Sequence, residues 1–526
     1  MASLKKLPLG IQTFRQVIED DCLYIDKTSE ALALAQNYKY VFLSRPRRFG
    51  KSLFLDTLKN LFEGNQTLFE GLYVYDKWDW NQKYPVIKIS WDGQLSTLEN
   101  VEQKLKETLL DNQRRLQLEC DSKIAPAICF ERLIKEAYQK YQQKVVILID
   151  EYDKPILDVI DNLEQAKLHR EFIKGLYSVL KGVDEYIRFA FLTGVSKFSK
   201  ASIFSGLNML TDISLMPKFG NICGYTQKDL EVSFKDHLQG VDMQKAKTWY
   251  NGYHFLKDSL YNPFDILLFI ANEHRFNNYW FSTGTPTFLI KLIQQKQYFL
   301  PKLSNLVVDS SLMDSFDIED IQIEVLLYQA GYLTIESAHT TPFETLEYKL
   351  SLPNKEVKIS LNDFIIKDLL KDATPNQNKT SLFLALKNAD LEGIKTALVS
   401  IFASIPYNHY TNTPLQNYEG FYATVIYVYL QSLGIKVVGE DVTNRGRIDL
   451  TVLIEDKIYL IEFKIIQDQP DMQAENSALQ QIKQKNYAQK YLHQTAHLYL
   501  VGIEFSRREK NIVRFDWDKI SFHNDF

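Results

Sequence analysis

Long apolar runs, paired cysteines and a signal-like N-terminus are all missing from this sequence of 526 residues. No stretch approaches the roughly 18 consecutive apolar residues of a membrane-spanning helix, so we expect no membrane partner. Residues 1–10 are basic but lack the apolar core of a secretory signal, which favours a cytoplasmic location. Cys22, Cys120, Cys129 and Cys223 form no C-x-x-C pair, so we expect free thiols rather than a zinc knuckle or a disulfide scaffold.

A strong positive charge is also missing. The formal net charge of −5 excludes a global electrostatic attraction to nucleic acid, so any such contact must come from a local patch. One candidate patch lies near the C-terminus, where a solvated charged face is an equal alternative; it consists of Lys483, Lys485, Lys490, Arg507, Arg508 and Lys510. What the chain does have is 45% hydrophobic residues, enough for several cores and about three domains.

Charged side chains interrupt two apolar strand patterns near the C-terminus. Asp449 lies in the pattern over 446–450, and Glu462 and Lys464 lie in the pattern over 458–466. Buried ionic groups are costly unless a metal or a charged partner satisfies them, so the pattern predicts a divalent-metal site. A two-residue turn at 455–456 would place Asp449 opposite Glu462, with Cβ atoms about 4.5–5.5 Å apart. Lys464 would project from the same face as Glu462.

Two predicted helices add polar groups to this site. The first runs from Tyr418 to Leu433 and carries Glu419, a candidate third carboxylate for the metal. The second covers 478–488 and carries Gln481, a plausible auxiliary polar group.

The set Glu419, Asp449, Glu462 and Lys464 resembles the PD-(D/E)xK nuclease superfamily over roughly the last quarter of the chain. The resemblance implies that the three carboxylates bind Mg²⁺ and that Lys464 orients or deprotonates the attacking water. The alternative is a surface hairpin in which Glu462 and Lys464 form a solvated ion pair.

A strand, a loop and a helix near the N-terminus carry a P-loop with one departure. Residues 45–52 match G-x-x-x-x-G-K-[ST], except that Arg45 replaces the first glycine. Backbone amides at the helix start would cradle phosphates, Lys51 would reach the β and γ oxygens, and Ser52 would bind Mg²⁺. The nucleotide-binding candidates in this loop are Arg47, Arg48, Gly50, Lys51 and Ser52. A chance match in a basic loop is the alternative.

Two later strands supply the partners that a P-loop requires. The run over 144–150 ends in Asp150 and Glu151, as a Walker B strand does, with Asp150 holding Mg²⁺ and Glu151 polarising the attacking water. A second buried strand over 187–195 carries Thr193, a position from which such ATPases sense the γ-phosphate. The order of these motifs predicts a P-loop NTPase that binds ATP.

The residues around these motifs resemble a bacterial family called AAA-ATPase-like, whose members often carry a C-terminal PD-(D/E)xK nuclease domain. Matching segments are 9–11, Phe14, 24–28, 45–52, 150–153 and 193–198. The resemblance implies that Arg45 is the family's residue in the P-loop, and it names no substrate. An arginine finger is not identified: Arg188, Arg275 and the P-loop arginines are candidates, and a neighbouring subunit of a homo-oligomer could supply one.

The sequence thus predicts an α/β chain with two chemical sites and no glycine- or serine-rich linker between them. We expect a P-loop parallel sheet with helices over 1–225, a helical lid over 226–300, a winged-helix-like region over 301–395, and an α/β nuclease-like domain over 396–526. The lid contains two expected turns, at 249–253 and 261–264. The winged-helix pattern is a helix over 318–330 followed by strands over 331–335 and 346–350.

The predicted function is an ATPase coupled to a Mg²⁺-dependent nuclease that cleaves DNA. The alternative is a nucleotide-dependent switch or scaffold whose C-terminal domain binds nucleic acid or protein without cutting. Metal and carboxylate chemistry serves any phosphodiester, so the sequence does not distinguish DNA from RNA.

Overall fold

In the computed structural model the chain forms two compact units. The first unit consists of residues 1–284 and 308–348, and the second consists of residues 285–307 and 349–526. The structure describes residues 4–118, 124–197, 209–281, 289, 292–293, 296, 298–314, 317–370, 375–405, 419–466, 475–494 and 497–520.

A five-stranded parallel sheet forms the core of the first unit. Its strands are β1 (Tyr40–Ser44), β2 (Val86–Ser90), β3 (Val145–Asp150), β4 (Ile187–Gly194) and β5 (Thr211–Asp212), in the order β2-β3-β4-β1-β5. Every residue of β3 is buried, which explains its uninterrupted apolar sequence, because a parallel strand is covered on both faces. Since β4 lies between β1 and β3, the P-loop and the Walker B acids follow the carboxyl ends of strands that are not neighbours.

Seven helices accompany this sheet in the described part of the first 194 residues. They are α1 (Phe14–Glu19), α2 (Thr28–Asn37), α3 (Lys51–Phe62), α4 (Leu98–Leu116), α5 (Pro126–Tyr141), α6 (Lys154–Leu157) and α7 (Leu163–Gly182). The predicted strand, loop and helix of the P-loop are confirmed as β1, 45–50 and α3.

The segment that follows the sheet is not wholly helical. It contains β6 (Tyr225–Thr226), α8 (Gln227–Ser233), α9 (Met243–Tyr250), β7 (Asn251–His254), β8 (Ser259–Tyr261) and α10 (Pro263–Ala271). The expected turn at 249–253 is wrong, because 251–254 forms a strand that pairs with β8 in a small sheet of order β6-β8-β7. Aromatic residues such as Tyr253 and Tyr261 favour a pleated, half-buried surface over a turn.

The predicted order of helix, strand and strand is present in the next segment. It comprises β9 (Leu306–Asp309), α11 (Ile323–Ala330), β10 (Thr334–Thr340) and β11 (Leu346–Ser351). The three strands form a sheet in the order β10-β11-β9. α11 ends at Gly331, whose φ of 92° is the left-handed conformation that terminates helices.

The second unit combines helices with a mixed sheet. Its helices are α12 (Lys355–Leu370), α13 (Pro375–Asn388), α14 (Leu391–Ala403), α15 (Glu419–Ser432) and α16 (Ser477–Gln484). Its strands are β12 (Lys436–Thr443), β13 (Gly446–Ile454), β14 (Lys457–Ile466), β15 (His497–Ser506) and β16 (Asn511–Ile520), in sequential order. Only the β14–β15 pair is parallel.

Cys22, Cys129 and Cys223 are buried, and the Cys129 sulfur accepts a hydrogen bond from Gln113 Nε2 at 3.3 Å, whereas Cys120 lies outside the described residues. Among the helices that the structure describes, none is both long and apolar enough to cross a membrane.

Candidate functional site

The P-loop turns into α3 at Gly50, whose φ of 93° suits glycine far better than other residues. Directly after it, Lys51 is buried, and its ammonium donates hydrogen bonds to the Arg45 carbonyl at 3.0 Å and the Pro46 carbonyl at 2.9 Å. Burial lowers the pKa of Lys51, while the Asp150 and Asp153 carboxylates act in the opposite direction. The loop therefore closes around the lysine, with the cation held next to the Walker B acids.

A cavity of about 730 Å³ opens beside this loop within the first unit. Eight of its lining residues come from the two predicted motifs: Arg47, Arg48, Phe49, Gly50, Lys51, Ser52, Asp150 and Glu151. Apolar side chains from the N-terminal segment and from α10 also line it, among them Ile11, Ile25, Phe264 and Leu267. Cations, carboxylates and an apolar surface in one cavity suit a ligand with both phosphates and a planar base.

The two acids at the end of β3, Asp150 and Glu151, lead into a strained and desolvated turn. Glu151 has a φ of 52°, which is uncommon for a residue other than glycine, and its backbone amide donates to Asp150 Oδ1 at 3.1 Å. Burial raises the pKa of the Glu151 carboxyl, and the Asp150 charge raises it further. A carboxyl whose pKa is raised in this way accepts a proton more readily near neutral pH.

A third acid, Asp153, ties the ends of β3 and β4 together. Its carboxylate accepts hydrogen bonds from the Ser196 amide and hydroxyl, both at 2.6 Å, and from the Val195 amide at 3.0 Å. Burial raises the pKa of Asp153. Sequence reasoning did not assign this residue a role, although it lies two positions beyond the Walker B pair.

Thr193 does not reach the cavity. Its hydroxyl is fully buried and donates to the Leu43 carbonyl of the neighbouring strand at 2.9 Å. The side chain thus bonds to β1 instead of lining the cavity, and its role as a γ-phosphate sensor stays a prediction.

Arg45, which stands where the P-loop pattern has glycine, points into the protein and is only 1% exposed. Its guanidinium donates to the carbonyls of Ser44 at 2.9 Å, Ser214 at 2.8 Å and Phe219 at 3.2 Å. It also lies 3.9 Å from the centroid of the Phe255 ring, and burial lowers its pKa. Arg45 thus anchors the start of the loop to two other segments instead of facing the cavity.

The P-loop is also packed against aromatic and glycine residues of other segments. Phe49 is fully buried between the edges of Tyr253 and Phe255, at centroid distances of 5.0 and 5.7 Å. At Gly331, an added Cβ would lie 2.7 Å from the Pro46 side chain. These contacts fix the loop from the small sheet and from the end of α11.

Gly331→Ala is expected to destabilise the first unit by about 1–3 kcal/mol, because it combines a left-handed φ with a clash against Pro46. Urea unfolding monitored by fluorescence measures the change. The matched control is Gly175→Ala within α7, where no atom approaches the added Cβ and helix propensity favours alanine by up to about 1 kcal/mol. Equal stability of the two variants would contradict the packing role of Gly331.

The predicted hairpin register in the C-terminal region is confirmed. Ile454 pairs with Lys457 and Leu453 with Ile458, and the pairing continues to Leu450 and Ile461. One step further along, the Phe463 amide donates to Asp449 Oδ2 at 2.8 Å. Asp449 on β13 therefore lies against the part of β14 that carries Glu462.

Glu462 is buried, with 1% of its surface exposed, and it accepts a hydrogen bond from Gln481 Nε2 of α16. Lys464 is half-buried two positions further along the same strand. The structure thus brings Asp449, Glu462 and Gln481 together from three elements, as the sequence predicted. Glu419 begins α15, as expected, but its side chain lies outside the described residues.

Tyr487 is a further residue of this region, and sequence reasoning missed it. It lies in a short 3₁₀ helix, Tyr487–Tyr491, and its pKa is raised by burial and by the charges of Glu462 and Asp449. Gly446, with a φ of 150°, leaves room for it, since an added Cβ would lie 2.7 Å from the Tyr487 hydroxyl. Tyr487 lies six residues after Gln481 and beyond the end of α16, so helical periodicity did not place it near the two acids.

The two acids suit a hard cation. Mg²⁺ commonly binds through one or two carboxylates, and its other ligands are waters and substrate phosphates, so Asp449 and Glu462 suffice on the protein side. Within the described residues there is no group of three or more His, Cys, Asp or Glu side chains that could hold a metal. At the P-loop, Ser52 and Asp150 line the same cavity and supply the hydroxyl and carboxylate oxygens that Mg²⁺ prefers.

Part of the candidate basic patch is neutralised within the protein. Lys483 forms an ion pair with Asp518, and Lys490 forms one with the buried carboxylate of Asp441. A continuous cationic stripe of all six residues is therefore not present.

Comparison with known proteins confirms both family resemblances. Residues 8–204 match the AAA-ATPase-like family, described as a predicted AAA-ATPase, and residues 417–515 match the PD-(D/E)XK nuclease superfamily. The "Uncharacterized protein in vnfD 5'region" of Azotobacter chroococcum mcd 1 is 44% identical over 516 residues, covering 98% of this chain and 99% of the relative. The structure of the ORC2 protein of Aeropyrum pernix in ADPNP-ADP complexes aligns with 64% of this chain and 93% of its own, at 14% identity and a TM-score of 0.28.

Proposed function

Because this chain belongs to the AAA-ATPase-like family and carries a C-terminal PD-(D/E)XK nuclease superfamily domain, we propose that it is an ATPase coupled to a Mg²⁺-dependent DNA nuclease. One observation carries the proposal: each matched region has its own site of carboxylates near a lysine. In the first region Asp150 and Glu151 line the same cavity as Lys51. In the second region Asp449 lies against the strand that carries Glu462 and Lys464.

In the first unit, we propose that the cavity binds ATP. The backbone amides at the start of α3 and the Lys51 ammonium bind the phosphates, while Arg47 and Arg48 line the same cavity and add positive charge. Glu151, whose pKa is raised, orients the attacking water and accepts its proton. Asp153 holds the turn after β4 against these acids, so that the geometry around Asp150 is preset.

In the second unit, Asp449 and Glu462 would hold the metal, and Lys464, which lies on β14 with Glu462, orients or deprotonates the water. Ser52 and Asp150 would hold a Mg²⁺ ion that offsets charge on the phosphates, and a Mg²⁺ ion at Asp449 and Glu462 would supply an activated water and stabilise charge on the scissile phosphate. The Gln481 amide fixes the orientation of the Glu462 carboxylate. ATP binding gates or positions the cleavage of DNA, by ordering the loops around Ser52 and Asp150.

The test is cleavage of linear, circular and single-stranded DNA by the full chain, with Mg²⁺ or Mn²⁺ and with or without ATP. We expect metal-dependent cleavage that Lys464→Ala abolishes and that ATP changes in rate. If ATP binds but no metal supports cleavage of any substrate, the nuclease assignment fails and a non-cutting nucleotide switch takes its place.

Lys51→Ala is expected to weaken ATP binding by at least about tenfold, because it removes a buried charge-assisted contact to the phosphates. Isothermal titration calorimetry with ATP measures the affinity. Lys59→Ala on the same helix is the matched control, since Lys59 pairs with Glu63 and does not line the cavity. An unchanged affinity in Lys51→Ala would place the nucleotide elsewhere.

A further inference from the structure

The start of α16 lies in unusually close contact with β15. An added Cβ at Gly502 would lie 2.3 Å from the Leu479 amide nitrogen, so only glycine permits this approach. Asn476 caps the helix, since its Oδ1 accepts from the Leu479 amide at 3.0 Å while its Nδ2 donates to the Gly502 carbonyl at 2.9 Å. The helix is therefore fixed to the strand at its first turn.

Glu504 provides a second attachment at the same turn. Its side chain is buried, with 4% of the residue exposed, and its Oε1 accepts from the Ser477 amide at 2.8 Å and the Ser477 hydroxyl at 2.7 Å. Its other oxygen lies 4.0 Å from the Arg514 guanidinium, which offsets the buried charge. A buried carboxylate with such partners resists displacement, because breaking these bonds would leave polar groups unsatisfied.

The attached helix is the one that carries Gln481 to Glu462. In the parallel pairing of β14 and β15, Glu462 lies beside Gly502 and Lys464 lies beside Glu504. The attachment therefore lies at the same level of the sheet as the two side chains of the candidate nuclease site. Gln481 is only four residues along α16 from Ser477, so a shift of the first turn moves its amide relative to the Glu462 carboxylate.

We propose that Glu504 is a positioning residue of the nuclease site. By holding Ser477 it sets Gln481 against Glu462, and this fixes the orientation in which the Glu462 carboxylate binds a divalent cation. The proposal rests on the proposed function of that site. It depends on the acceptor oxygen of Glu504, which glutamine also supplies.

The test measures Mn²⁺ affinity by calorimetry, together with kcat and KM for DNA cleavage, in the full chain. We expect Glu504→Ala and Gln481→Ala each to weaken Mn²⁺ binding by about 10-fold to 100-fold, as for other partners that orient metal ligands. The double variant should be no worse than either single variant, because both changes remove one interaction. kcat should fall while KM for DNA stays unchanged, and Glu504→Gln should restore most of the affinity.

Ser477→Ala keeps the backbone bond and provides a milder variant, with an expected loss of about threefold, in case Glu504→Ala fails to fold. If Glu504→Ala lowers only the melting temperature, or if the two single effects multiply in the double variant, Glu504 is purely structural. Failure of Glu504→Gln to restore affinity would also overturn the proposal. The wild-type chain distinguishes these outcomes from failure of the proposed function. If it binds Mn²⁺ and cuts DNA, the variants test Glu504 alone; if it does neither, the proposed function and the role of Glu504 are both overturned.

Discussion

Asp449→Asn is expected to lower DNA cleavage by roughly 10²–10³-fold and to leave ATP hydrolysis without DNA unchanged. Asp449 Oδ2 accepts from the Phe463 amide at 2.8 Å, and the asparagine oxygen can accept the same bond. The variant therefore keeps the strand pairing and removes only the negative charge. Metal ions supply several kcal/mol of charge stabilisation, and about 1.36 kcal/mol corresponds to each tenfold in rate.

The matched control for this variant is Asp441→Asn. Asp441 is an acid of the same sheet that is buried, whereas Asp449 is half-buried. The Asp441 carboxylate is bonded to Thr451, Lys490 and Tyr491. We expect this control to lower the melting temperature and to retain Mn²⁺ binding. If Asp449→Asn cuts DNA as fast as the wild type, or if the control loses metal affinity equally, Asp449 is not a metal ligand.

The sequence predicted that Asp449 lies against β14, because strand geometry leaves few choices. The ladder itself ends one position earlier, and Asp449 contacts β14 through its side chain. A two-residue turn fixes the register of a hairpin, and each further pair follows from it, as Leu450 and Ile461 confirm. The resemblance to both families is likewise confirmed. It could be identified from the sequence because the motifs are short and local.

The contacts that hold the candidate nuclease site in place could not be predicted in the same way. Glu504 reaches Ser477 across 27 positions, and Tyr487 reaches the acids only because Gly446 leaves room for its hydroxyl. Such contacts depend on how α16 packs against the sheet, and neither residue period nor spacing encodes that packing. The sequence does not show that position 502 requires glycine, because this requirement arises only from the packing of α16 against β15.

In the P-loop region, too, local motifs could be predicted and long-range contacts could not. Lys51, Ser52, Asp150 and Glu151 line one cavity, as their motifs predicted. Thr193 was assigned from its place at the end of a strand, but the direction of its hydroxyl depends on the neighbouring Leu43 carbonyl. Arg45 could be identified as a departure from the pattern, whereas its role depends on residues about 170 positions away.

Arg45→Gly restores the common P-loop pattern, yet we expect it to destabilise the first unit by about 2–4 kcal/mol. The change removes a buried side chain and its hydrogen bonds to the Ser214 and Phe219 carbonyls, of which the Phe219 carbonyl keeps the Ile222 amide as a donor. Glycine offers no compensating relief, because φ at Arg45 is not positive, and it adds flexibility to the unfolded chain.

The same variant should also weaken ATP binding, because the Arg45 carbonyl holds the Lys51 ammonium and a loosened loop no longer presets it. Urea unfolding and ATP calorimetry measure the two effects. Arg45→Lys keeps the charge but loses the planar fork, so we expect an intermediate loss of stability. Arg47→Ala, at an exposed position of the same loop, should change stability by less than about 0.5 kcal/mol. If Arg45→Gly instead bound ATP more tightly at unchanged stability, the arginine would be a defect in the nucleotide site, and its buried contacts would contribute nothing to the loop.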